Sequence, residues 1–142
     1  MKAKAKRLPT ELTIEVGLPD RCLSPNVKAH WAKEYAAKKT LREAVVNTIR
    51  IKHPHMVGAQ WDQANIQYSF FHPVERTRDD DNHRAMMKAA RDAFGPETVT
   101  SKGKINPGVH MVNDDTNISD AAPVLFAIDK EHPRVRITIT KG

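Results

Sequence analysis

Apolar and polar residues alternate at three places along the chain. Leu12, Ile14, Val16 and Leu18 alternate over Glu11–Leu18, Ala64, Ile66, Tyr68 and Phe70 over Gln63–His72, and Val135, Ile137 and Ile139 over Arg134–Thr140. A period of two places each set on one side of a pleated strand, so three half-buried strands are expected. From Asn26 to Lys52 the spacing becomes helical. Trp31, Tyr35, Leu41, Val45 and Ile49 are its apolar positions, read as core packing, and Asn26 behind Pro25 is the expected cap. A second helix should start at Asp81 or Asn82, both good N-cap residues. At about 100° per residue, Met86, Met87, Ala90, Ala93 and Phe94 share one face of it, and Asp81, Arg84, Lys88 and Asp92 line the other. Gly95-Pro96 stops that helix, and residues 97–108 should form a loop or a short exposed hairpin. A short apolar run at Val109–Val112 and a strand-like stretch at Ala122–Ile128 complete the pattern. The expectation is an α+β fold in which residues 11–142 form one domain, a small mixed β-sheet packed with two main helices. Residues 1–10 read as a flexible basic arm.

Composition narrows the classes. With 142 residues, 39% of them hydrophobic and 28% charged, the chain is long enough to bury a core and too polar for a membrane protein. No stretch has the length and apolarity of a transmembrane helix, and the lysine-rich start lacks the apolar segment of a signal peptide. Cys22 is the single cysteine and can form no internal disulfide, so a reducing, cytoplasmic setting is expected.

A net charge of +6 points to a polyanionic partner. Its distribution adds to that. Residues 1–52 carry 12 basic against 5 acidic side chains (net +7), residues 53–120 carry 7 against 10 (net −3), and residues 121–142 carry 4 against 2 (net +2). A basic frame surrounds an acidic middle. The cations that would meet a phosphate backbone are Lys38, Lys39 and Arg42 on the first helix, Arg76, Arg78 and Arg84 around the aspartates, and Lys102 and Lys104 in the loop.

The acidic middle centres on Asp79, Asp80 and Asp81. Neighbouring carboxylates repel unless they share a cation, and oxygen ligands select a hard one, Mg²⁺ or Mn²⁺. A solvated acidic cap at the positive end of a helix explains the same residues without a metal. An EF-hand does not, because position 84 is arginine where that loop needs glycine. Asp114-Asp115, after the Val109–Val112 run, is a second acidic pair able to complete a metal site. His53-Pro54-His55 lacks further ligands at zinc-site spacing and reads as loop. Gly-rich phosphate loops and Ser/His/Asp or Cys/His nucleophile arrangements are missing from the sequence.

Three motifs in this order resemble the RusA family of Holliday-junction resolvases: Leu23-Ser24-Pro25-Asn26 with His30-Trp31 and a lysine-rich helix; Arg78-Asp79-Asp80-Asp81-Asn82 leading to Lys88-Ala89-Ala90-Arg91-Asp92-Ala93; and Asp114-Asp115 after a short apolar run. The resemblance covers roughly residues 12–140. It implies a homodimeric, Mg²⁺-dependent endonuclease that cuts branched DNA, four-way junctions above all. It also implies Asp79, Asp81 and Asp115 as metal ligands, with Asp114 an alternative to Asp115. Lys88 would be the catalytic lysine, although compact members place theirs four residues after the second aspartate, where this chain has Ala85. Residues 97–108 are also longer than in compact members. Two other readings fit the same residues: a nucleic-acid-binding protein without catalysis, and a small metal-dependent phosphohydrolase acting on nucleotides.

Overall fold

The computed structural model describes residues 8–76, 78–120 and 122–142. Most of the expected basic arm, residues 1–7, lies outside them. The strands are β1 (Glu11–Val16), β2 (Ala64–His72), β3 (Thr98–Val99), β4 (Ile105–Asn106), β5 (Ile118–Asp120), β6 (Leu125–Ile128) and β7 (Arg134–Lys141). The α-helices are α1 (Trp31–Lys52), α2 (Asp80–Met86) and α3 (Lys88–Asp92). The fold is α+β, with a mixed five-stranded sheet and a separate β3–β4 hairpin. No described helix is long and apolar enough to cross a membrane.

The alternating segments build the sheet. β7 lies between β1 and β2, antiparallel to both. Its register sets Leu12, Ile14 and Val16 opposite Ile139, Ile137 and Val135, and those same residues opposite Ile66, Tyr68 and Phe70. All nine are buried. Cross-strand neighbours share a face, so the sheet has one continuous apolar side. The other side carries Thr13, Glu15, Arg134, Arg136 and Thr138, with Glu15 bridging Arg134 at 2.8 Å and Arg136 at 3.1 Å. The free edge of β2 receives β5 near its start and β6 near its end, both parallel.

α1 packs Leu41, Val45, Val46 and Ile49 into the core. It starts at Trp31, later than the sequence suggests. His30 is the cap, accepting the Ala32 N–H at 3.2 Å, while Asn26 sits in a turn closed by Val27 N–H on Ser24 O. Trp31 and Tyr35 are not core residues: they are 74% and 40% exposed. The fully buried stripe of the helix begins only at Leu41.

The expected second helix is two. Asp79 caps α2 in place of Asp81 or Asn82, accepting the Asn82 N–H at 3.1 Å. Met87, at φ −93° and ψ 6°, separates α2 from α3 and bonds back to Arg84 O. The apolar face survives this break, with Met87, Ala90, Ala93 and Phe94 fully buried. Val109, Met111 and Val112 are buried but the run is not a strand, because His110 has φ 51°, outside the extended region. Ala122–Val124 is likewise not strand. Asp80 Oδ2 takes the Val124 N–H at 2.8 Å and Arg84 donates to Ala122 O at 2.9 Å, which tethers this stretch to α2.

One close backbone approach positions the site. A methyl group at Gly108 would collide with the Gly95 carbonyl and come within 2.8 Å of Pro96 O. Glycine lets 108–111 lie along the end of α3, where Val109 and His110 donate to Ala93 O and Gly95 O at 2.9 and 3.0 Å. A side chain at Gly95 would likewise crowd Asp115, its Cβ 3.3 Å from that of Asp115. Both glycines therefore bring Asp115 against α3.

Candidate functional site: a carboxyl pair in a basic groove

The aspartates of 79–81 are spent differently from one another. Asp79 caps α2, and its carbonyl accepts the His83 Nδ1–H at 2.7 Å. Asp80 pairs with Arg84 at 3.1 Å, off the hydrogen-bond direction at Oδ1, and holds Val124 through Oδ2. The Asp81 side chain is 94% exposed. Among the described residues, no three His, Cys, Asp or Glu side chains stand together as a metal-binding group. Asp79, Asp81 and Asp115 are thus not assembled as one ligand set.

What the fold does assemble is a carboxyl pair, Asp92 at the end of α3 and Asp115 in the 3₁₀ turn Asp115–Asn117. Burial pushes the Asp92 carboxyl above its ordinary range, and a hydrogen bond with Asp115 and the charge of that carboxyl push the same way. Lys88, one turn before Asp92, and Arg42 on α1 oppose the shift. Asp114 is committed elsewhere. It caps the 3₁₀ turn, accepting from Thr116 N and Oγ1 at 2.9 and 2.8 Å, and these bonds hold its carboxyl below the usual range. Asp115 is the member of the acidic pair turned to α3.

Around Asp92 lies a groove of about 210 Å³. Four of the eight cations singled out from sequence line it: Lys38, Lys39 and Arg42 from α1, and Lys104 from the β3–β4 hairpin. Lys104 Nζ stands 4.3 Å above the Tyr35 ring, a cation–π contact that ties hairpin to helix. Arg42 Nε donates to Pro107 O. Lys38 and Lys39 are exposed, each in an i,i+4 pair with Glu34 or Glu43 worth a few tenths of a kcal/mol. Trp31, Tyr35, Lys38 and Arg42 follow one another at spacings of four, three and four, a stripe along one side of α1.

The other four cations lie elsewhere. Lys102 occupies the exposed tip of the hairpin, beside Gly103 at φ 79°. Arg84 is a structural brace between Asp80 and Ala122. Arg76 and Arg78 line a separate cavity with His72 and His83.

Asp92 and Tyr35 are the site residues that sequence reasoning missed. Asp92 lay on the Asp81–Arg84–Lys88–Asp92 stripe, where its four-residue spacing from Lys88 was the available signal.

Two facing carboxyl groups fit a hard divalent ion. Mg²⁺ is commonly held by one or two carboxylates, the rest of its shell being water and substrate phosphate. No protein-family model matches the chain, and no curated protein matches it.

Proposed function

We propose that this protein is a divalent-metal-dependent endonuclease acting on branched DNA, as its RusA-like motifs imply. The observation that supports this most is the convergence of Lys38, Lys39, Arg42 and Lys104 on a groove containing Asp92, whose carboxyl neighbours that of Asp115. Basic side chains interleaved with an aromatic suit a nucleic-acid backbone, because cations take phosphate and Tyr35 offers a stacking face. The metal would be held by Asp115 and Asp92, the carboxyl groups that the fold brings together, and not by Asp79 and Asp81, which cap α2 and face solvent. Bound there, Mg²⁺ or Mn²⁺ would activate water and offset charge developing on the phosphate. Lys88 would act as a point charge beside the scissile phosphate, while Arg42 and Lys104 hold the strand across the groove. Phosphate contacts carry no sequence information, so selection of a four-way junction requires two sites at fixed separation, as in a homodimer. Cys22 is buried with no disulfide partner, and burial raises its thiol pKa, which suits a reducing, cytoplasmic setting.

The test compares a synthetic four-way junction, a linear duplex and free nucleotides, each with Mg²⁺ and with EDTA. Metal-dependent cleavage of the junction in preference to the others is expected. Asp115→Asn and Asp92→Asn should abolish it and leave junction binding intact, because removing negative charge does not weaken a grip on phosphate. Cleavage that survives Asp92→Asn but is lost in Asp79→Asn and Asp81→Asn would place the ion at the start of α2. A second reading, a nucleic-acid-binding protein without catalysis, is favoured by the capping role of Asp79 and the solvation of Asp81. Binding with no cleavage of any substrate would establish it.

A further inference from the structure

A second cavity, of about 470 Å³, lies between the loop after β1 and the connection from β2 to α2. Its volume falls within the range of about 300–1,000 Å³ typical of small-molecule sites. One wall is apolar, with Leu18, Pro19, Val27, Val74 and Met86, and Phe70 behind them. Arg21, Arg76 and Arg78 supply the charge. Among the described residues none of the three forms a salt bridge. Arg78 spends one N–H on Val74 O at 3.1 Å, and burial together with the charge of Arg76 lowers its pKa. Three arginines gathered without a carboxylate fit an anion.

His72 and His83 close one side, their Nε2 atoms 3.1 Å apart. That separation would also suit two imidazoles on one metal ion, but the neighbouring arginines oppose a cation and no third ligand joins them among the described residues. A hydrogen bond accounts for the pair instead. His83 Nδ1 must carry a proton, because it faces the Asp79 carbonyl at 2.7 Å. His83 also sets its ring edge-on against Phe70, centroids 4.7 Å apart, so this wall is rigid.

We propose that this cavity binds one unpaired nucleotide of DNA, its phosphate on Arg21, Arg76 and Arg78 and its base against the apolar wall. The inference rests on the nucleic-acid reading above, but not on metal or cleavage. Inorganic phosphate would use only the arginines, and a nucleoside only the wall. A nucleotide uses both, and extrusion of a base is least costly where DNA is already unpaired, as at a branch point.

The test is an NMR titration of the full chain in EDTA with dAMP, deoxyadenosine and inorganic phosphate. dAMP should move amides within Leu18–Val27 and Phe70–Met86 and bind at least tenfold more tightly than either fragment. Val74 is 45% exposed, so Val74→Trp should fill the cavity without harming the fold. That variant and Arg76→Ala/Arg78→Ala should each weaken dAMP at least tenfold, with unchanged far-UV circular dichroism. Equal binding of dAMP and phosphate, or shifts confined to Tyr35–Arg42, would overturn the proposal. Nucleotide binding here without junction cleavage would leave it standing while the nuclease reading falls. Cleavage with no response to dAMP would do the reverse.

Discussion

Acid should destabilise this protein through His72, and the size of the effect follows from where its ring sits. The imidazole stacks on Phe70 at 5.7 Å and 10°, lies 6.4 Å from Phe126, and meets His83 through Nε2. Burial among these rings, then the positive charge of Arg78 and of His83, lowers its pKa from 6.5 to about 4. Above pH 6.5 the ring is neutral whether the chain is folded or not, and it places no penalty on folding. Below that pH the unfolded chain takes up a proton that the native state refuses, so stability falls until the pH reaches about 4 and then levels off. At about 1.4 kcal/mol per pH unit the whole shift would amount to roughly 2–3 kcal/mol by pH 4.5, and because the ring is only partly buried, solvent screening cuts the loss to about 1–2 kcal/mol. Carboxylates titrate over part of the same range, so the comparison must be with a variant that cannot charge. His72→Gln keeps a donor for His83 Nε2. Urea unfolding followed by far-UV circular dichroism at pH 7.5, 6.5, 5.5 and 4.5 should show the wild type losing about 1–2 kcal/mol more than His72→Gln across the series. Parallel curves, separated by a constant offset, would mean that the ring takes up its proton as readily folded as unfolded.

The groove makes a distinction between two lysines that look alike in sequence. Lys104→Ala should reduce the magnitude of the log K against log salt slope for junction DNA by about one, whereas Lys102→Ala, at the hairpin tip, should change it less; equal effects would separate the Tyr35 contact from DNA binding. The proposed homodimer would need an exposed apolar surface. The apolar faces of β1, β2 and β7 form the core of the fold, while β6 leaves Leu125, Phe126 and Ile128 at 52%, 38% and 49% exposed. An edge strand of that kind is a ready template for pairing. Sedimentation should give a dimer at micromolar concentration and a folded monomer for Leu125→Asp/Ile128→Asp; a monomeric wild type would exclude the paired-site mechanism.

How far the sequence could be read depended on whether an interaction was local. Alternation over Glu11–Val16, Ala64–His72 and Arg134–Thr140 marks one buried face without reference to anything distant, and those three strands pair through that face. The stripe Met87, Ala90, Ala93 and Phe94 was legible for the same reason, even though Met87 splits the helix that carries it. The first turns of α1 misled because Trp31 and Tyr35 are apolar and correctly spaced, yet both are exposed. Spacing says which residues share a side, not whether that side is covered. β5 was missed because three residues, Ile118–Asp120, are too few to display a period.

The site was less legible because charge is not a pattern that declares its partner. Arg84 and Arg42 were both read as phosphate-binding cations, but one braces Asp80 and Ala122 while the other reaches the groove beside Asp92. Asp79 and Asp81 read as ligands of one ion with Asp115, yet the turn of α2 sends Asp79 to a cap and Asp81 to solvent, while Asp80 between them takes the Val124 amide. The spacing of Asp92 from Lys88 placed it on a charged stripe but could not name Asp115 as its partner, since their meeting depends on a close backbone approach between Gly95 and Gly108. A side chain at Gly108 would have to displace Gly95 O and Pro96 O, and with them the segment that leads to Asp115. The two glycines, ordinary turn formers in the sequence, are therefore what make the carboxyl pair possible. A centre of this kind is written in the residues that allow close approach as much as in those that carry charge.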